Sequence, residues 1–151
     1  LFSRCFVGLM ISLCAALQAN HARAATPPVI YGCEVTAKNR LALAKNPLLI
    51  MFDPANKVVL AMDPLIHSVT GGSGVTAQVV RDTPKDLVLR WTLKGVRDNR
   101  SARSDLRYEA RIGRKDGSLR LTIVPEAYPG SYSYRGHCEV VRDKPGKRPK
   151  K

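Results

Sequence analysis

The strongest constraint in this chain is an alternation of apolar and polar side chains, repeated along most of its length. It is clearest where Leu87, Leu89, Trp91 and Leu93 alternate with Val88, Arg90, Thr92 and Lys94. Successive side chains on a strand point to opposite faces, so such a run buries one face and wets the other. The pattern returns where Leu106, Tyr108, Ala110 and Ile112 alternate with Arg107, Glu109 and Arg111. It also places Val29, Tyr31, Cys33 and Val35 on one face near the start, and Tyr132, Tyr134, Gly136, Cys138 and Val140 on one face near the end. Lys57–Met62 and Val75–Val80 read as further strands, and Leu48–Phe52, apolar throughout, reads as a more deeply buried one. Helix is expected only near Leu41–Lys45.

Turn chemistry separates these runs. Asp53-Pro54-Ala55-Asn56 and Asp82-Thr83-Pro84-Lys85-Asp86 combine a residue that presets φ with side chains that bond their own backbone. Asp116-Gly117 is a two-residue hairpin signal, which pairs Ile112 with Leu121 and Ala110 with Ile123. Both pairs set apolar against apolar, so the register is self-consistent. Gly71-Gly72-Ser73-Gly74 lacks the following lysine of a phosphate-binding loop and reads as a linker.

The two ends of the pattern can be joined. Cys33 lies on the apolar face of the first strand and Cys138 on that of the last. A disulfide between them closes a loop of about 100 residues, which the chain-entropy model values at about 4.7 kcal/mol. Joining first strand to last is how an antiparallel meander avoids open edges. The expected fold is therefore all-β: an antiparallel barrel or strongly curved meander of about eight strands, closed by one disulfide and packed around Trp91. A metal site built from Cys33, His137, Cys138 and His67 is the competing use of these residues, although zinc usually takes closely spaced pairs and the chain has none.

Residues 1–24 have the layout of a secretory signal peptide: Arg4, an apolar run from Cys5 to Leu17, then Ala22-Arg23-Ala24 as small residues before a cut. The run is about 13 residues, short of the roughly 20 that span a bilayer. Leu13 before Cys14 does not suit lipoprotein processing, and Arg4 stands alone, so neither a lipid anchor nor a twin-arginine signal is expected. Cys5 and Cys14 depart with this leader, which leaves an even pair in an oxidising compartment. Residues 25–141 are expected to form one domain, and residues 142–151, with six basic residues and one acid, a disordered basic tail. The expected location is the periplasm or the outside of the cell.

Loss of the leader removes Arg4 and Arg23 and no acid, so the net charge of +13 falls by only two. Such a balance favours anionic partners, either an envelope component or an acidic protein surface. Nucleic acid is a poor match for an exported chain. Lys94, Arg97, Arg100, Arg103 and Arg107, spaced by three or four, would line one side of a helix or crowd one loop, where guanidinium forks can grip carboxylate or phosphate. A solvated connection between strands is the plainer account of the same residues.

No catalytic or cofactor motif stands out, and neither an enzyme nor a cofactor is expected. The adjacent His67 and Ser68 could in principle pair as base and nucleophile of an envelope hydrolase, but neighbours on a strand would face opposite ways. His137 falls on the outward side of the last strand.

Tyr31-Gly32-Cys33 and His137-Cys138 resemble segments of the small exported inhibitors of c-type lysozyme from Gram-negative bacteria. Ser73-Gly74 is similar to the start of their Ser-Gly-x-x-Tyr motif, with Ala77 at the place of its Tyr, and Trp91-Thr92-Leu93-Lys94-Gly95 is similar to their Lys-Gly segment. The resemblance implies an eight-stranded disulfide-containing barrel, with Ser73 and Lys94 entering the lysozyme cleft. The first function expected is non-enzymatic binding of an anionic partner, the second lysozyme inhibition, the third hydrolysis.

Overall fold

A computed structural model describes residues 27–36, 43–97 and 101–141. The expected leader, Arg100 and the basic tail lie outside the described residues. Eight antiparallel strands run in sequence order: β1 (Val29–Thr36), β2 (Leu48–Asp53), β3 (Val58–Met62), β4 (Val75–Asp82), β5 (Asp86–Arg97), β6 (Arg103–Gly113), β7 (Ser118–Pro125) and β8 (Tyr132–Val141). Each pairs with the next and β8 pairs back onto β1, so the sheet is a closed barrel. The expected architecture is the observed one. Among the described residues no helix is long and apolar enough to cross a membrane.

The alternation places the core. Leu87, Leu89, Trp91 and Leu93 from β5 are buried, as are Leu106, Tyr108, Ala110 and Ile112 from β6. Trp91 and Tyr108 are cross-strand partners, and their rings stack with centroids 5.0 Å apart and planes 10° from parallel. Such a pair adds about 0.5–1.5 kcal/mol beyond its burial. At the seam Cys33 faces Cys138 in register, and their sulfurs are bonded at 2.06 Å. Two residues away Gly136 lies so close to β1 that a Cβ there would stand 2.1 Å from the Glu34 carbonyl oxygen. Only glycine lets β8 approach β1 this closely.

Three expectations need correcting. Leu48–Phe52 is not buried on both sides: Leu48, Ile50 and Phe52 face inward, while Leu49 is 39% exposed and Met51 half-buried. Apolar side chains thus occupy both sides of this strand, the outer ones partly or largely exposed. The β6–β7 hairpin pairs Ile112 with Leu119 and Ala110 with Leu121, two residues from the tight-turn register. The loop is four residues, closed by Gly117 N–H donating to the Gly113 carbonyl at 2.9 Å, with Gly117 at φ 66°. A slip of two preserves which face is inward, which is why both registers satisfy the apolar pattern.

The third correction concerns helix. Leu43–Lys45, the described part of Leu41–Lys45, is not helical, and Pro47 disfavours helix at the preceding residue. Asn46 instead extends the strand pairing with its side chain, accepting from Val35 N–H at 2.7 Å and donating to Val35 C=O at 2.9 Å. The helix is α1 (Pro64–Thr70), between β3 and β4. Asp63 caps it by accepting from Ile66 N–H at 2.7 Å, Pro64 occupies the first turn, and Gly71 ends it in the left-handed region at φ 68°. Its Ile66 is fully buried, so α1 covers the end of the barrel where β3 finishes and β4 begins.

The opposite end is filled by Arg114, just past β6. Its guanidinium donates to the Tyr31 hydroxyl at 3.1 Å, pairs with Asp82, and lies over the Phe52 ring at 5.9 Å. Its backbone N–H donates to Lys85 C=O at 3.0 Å. One residue thus ties β1, β2 and both sides of the β4–β5 turn to the β6–β7 turn.

Burial pushes the Asp63 carboxyl up from its ordinary 3.8, more than the Ile66 and Leu65 amides and Lys45 draw it down. A carboxyl whose folded pKa is raised adds stability while it is protonated and loses that contribution as pH rises through the folded pKa. Asp63→Asn keeps an equally good cap and removes the charge. Urea midpoints should therefore be higher for Asp63→Asn than for the parent at pH 7, and the gap should close by pH 3. Asp63→Ala should cost about 1 kcal/mol at pH 3, where only the cap is missing.

Candidate functional site

The outward faces of β4 to β8 carry most of the described charge, and the register decides which charges meet. Arg90 on β5 pairs with Glu109 on β6 at 2.7 Å, and Arg107 with Glu126 at 3.9 Å. One step further along the same strands the pattern changes. Arg111 on β6 lies directly opposite Arg120 on β7, which lies directly opposite Arg135 on β8. All three are exposed, and among the described residues none forms an ion pair.

These arginines form the floor of a groove of about 1040 Å³. The β4–β5 turn supplies one wall with Arg81, Lys85 and Asp86, and the β6–β7 turn another with Lys115, Asp116 and Ser118. Six cations therefore face two carboxylates. Both carboxylates are engaged in their own turns. Asp86 accepts from Arg81 at 2.7 Å and from the Thr83 hydroxyl at 3.0 Å. Although desolvation pushes its carboxyl up, those partners, with Arg81 and Arg111 charge, hold it below the ordinary value. Asp116 accepts from Ser118 N–H at 3.0 Å and Oγ at 2.8 Å, bonds that hold its carboxyl low. Both wall carboxylates are thus engaged within their own turns, and the three floor arginines form no ion pair among the described residues.

The residues singled out from sequence lie elsewhere. Lys94, Arg97, Arg103 and Arg107 belong to the β5–β6 hairpin rather than to a helix or an isolated loop, and Arg100 is outside the described residues. Arg97 and Arg103 are cross-strand partners at the hairpin end, and Lys94 sits at a register shift between Leu93 and Val96. Arg107 is drawn toward Glu126 and belongs with the paired charges. Eight residues of strand, about 26 Å, separate Arg103 from Arg111. Ser73 follows α1 at the same end as this hairpin, and the β4–β5 register, continued, sets Gly74 opposite Lys94.

His67 and Ser68 are on α1, not on a strand. The Ser68 hydroxyl donates to Leu65 C=O at 2.8 Å, a bond within the helix. The two cysteines that a metal site would need are bonded to each other. His137 is exposed on β8, beside the Gly117 turn and across the β1 seam from Glu34. Inside the barrel, burial, with Asp63 and Tyr134 nearby, pushes the Tyr108 hydroxyl well above its ordinary value, so it stays neutral.

No family model matches the chain, and neither a curated protein nor a solved structure matches it.

Like charges directly opposite on neighbouring strands destabilise a sheet. Arg120 has an arginine on each side, so Arg120→Thr should raise stability by about 0.2–1 kcal/mol in low salt. The gain should shrink as salt screens the repulsion. Urea unfolding at two ionic strengths measures both effects.

Proposed function

We propose that this chain is a non-enzymatic exported binding protein that recognises an anionic partner, either a component of the bacterial envelope or an acidic protein surface. The row Arg111–Arg120–Arg135 carries this reading. On the same strands Arg90 and Arg107 are matched with carboxylates, whereas these three adjacent arginines, gathered in one groove, form no ion pair among the described residues. A bound anion would relieve their repulsion and accept their forked donors together. The leader-like residues 1–24 support export. The hairpin cations Lys94, Arg97 and Arg103 would give a second, more exposed contact.

The test is binding of fluorescent polyglutamate and heparin to the oxidised protein. Both should bind at low ionic strength and weaken steeply with salt. Replacing Arg111, Arg120 and Arg135 together by Gln should remove most of the affinity. The corresponding change at Lys94, Arg97 and Arg103 should remove less. No binding at low salt, or an unaffected groove variant, rejects the reading.

Lysozyme inhibition is a second reading, favoured by the placement of Ser73 and Lys94 at one end of the barrel, both exposed. It requires stoichiometric loss of c-type lysozyme activity that survives salt and disappears in Lys94→Ala. Full lysozyme activity at large excess of the protein retires it.

A further inference from the structure

We infer that the groove takes a multiply phosphorylated ligand whose phosphate groups each bridge two adjacent arginines of the row. This rests on the reading of the groove as an anion site and names the chemistry it selects. Neighbouring strands are about 4.8 Å apart, so the backbone positions of the three arginines span about 10 Å across three adjacent strands. Valine and threonine bound it: Val88 is the β5 partner of Arg111, and Thr36 the β1 partner of Arg135. The row is therefore a short ruler with two gaps, Arg111–Arg120 and Arg120–Arg135.

The gaps discriminate between anions. One guanidinium fork satisfies both oxygens of a carboxylate. A phosphate dianion has three terminal oxygens in a tetrahedral array and can accept from two forks at once. Placed over a gap, it neutralises two repelling arginines together. Two phosphates, one over each gap, use the whole row, with Arg120 shared between them. Asp86 and Asp116 lie in the turns beside the row, and each is already bonded within its own turn. The Lys85 and Lys115 ammonium groups, also in those turns, add point charge without directional demand. The groove volume of about 1040 Å³ leaves room for whatever links the phosphates.

Calorimetry at fixed moderate salt tests this with four probes: inorganic phosphate, tripolyphosphate, inositol hexakisphosphate and citrate. Affinity should rise from phosphate to at least one of the two polyphosphates. Tripolyphosphate binding indicates a linear phosphoanhydride chain, and inositol hexakisphosphate binding indicates phosphates on adjacent ring carbons. The preferred polyphosphate should bind at least about tenfold more tightly than citrate, a carboxylate trianion. Arg120→Lys, which keeps the charge and loses the fork, should lower that affinity by about tenfold or more, and the same change at Arg90, which is paired with Glu109 outside the groove, should leave it unchanged. Citrate binding as tightly as either polyphosphate, or full affinity in Arg120→Lys, overturns the phosphate assignment while leaving a general anion site standing. Failure of all four probes, together with failure of polyglutamate and heparin at low salt, removes both.

Discussion

Everything in this molecule depends on the seam between β1 and β8. Seven of the eight strand pairs join neighbours in the chain, and each needs only a turn or a short connection to form. The eighth joins residues more than a hundred positions apart and must close nearly the whole domain as one loop. Loop-closure entropy is paid before such a contact returns anything. The seam therefore concentrates specific devices: the Cys33–Cys138 bond and the close approach at Gly136. Without closure β1 and β8 would be open edges, and Arg135 would be held beside Arg120 by one flanking strand only.

Much of this frame is legible in the sequence because a strand writes its faces into alternate residues. Leu87, Leu89, Trp91 and Leu93 announce an inward face without knowledge of their neighbours, and the two cysteines announce the closure because each sits on such a face. The same property hides the register. Shifting the β6–β7 hairpin by two residues leaves Ile112 and Ala110 facing apolar partners, so the pattern cannot choose between Leu119 and Leu121. The helix was marked by Asp63-Pro64 and Gly71, a cap, a first-turn proline and a left-handed stop. At seven residues it is too short to show a sustained helical period.

The candidate site is legible only after the register. Arg111, Arg120 and Arg135 are each an unremarkable polar residue on the outward side of its own strand, with no local motif around it. They become a row because two hairpins place them side by side. Lys94, Arg97, Arg103 and Arg107, by contrast, stand out in the sequence because they are close along the chain, yet the structure divides them. Arg107 joins the carboxylate-paired part of the sheet, and the others crowd the end of one hairpin. Proximity in sequence and proximity on a barrel surface are different quantities, and a binding surface responds to the second.

The row also differs from a chance accumulation of charge in how it is held. Its floor consists of paired strands, and both walls are turns fixed by their own hydrogen bonds: Asp86 with Arg81 and Thr83, Asp116 with Ser118. Beneath the two turns Arg114 binds Tyr31 and Asp82 and lies over Phe52, so the wall that bears Lys115 is tied through one side chain to strands on the far side of the barrel. The closed sheet thereby holds the three arginine backbones side by side. The Cys33–Cys138 closure stands two residues along β8 from Gly136 in the groove lining. Cys138 N–H donates to the Gly117 carbonyl of the β6–β7 turn at 2.7 Å, so the bond that closes the barrel also borders the strands that carry these like charges.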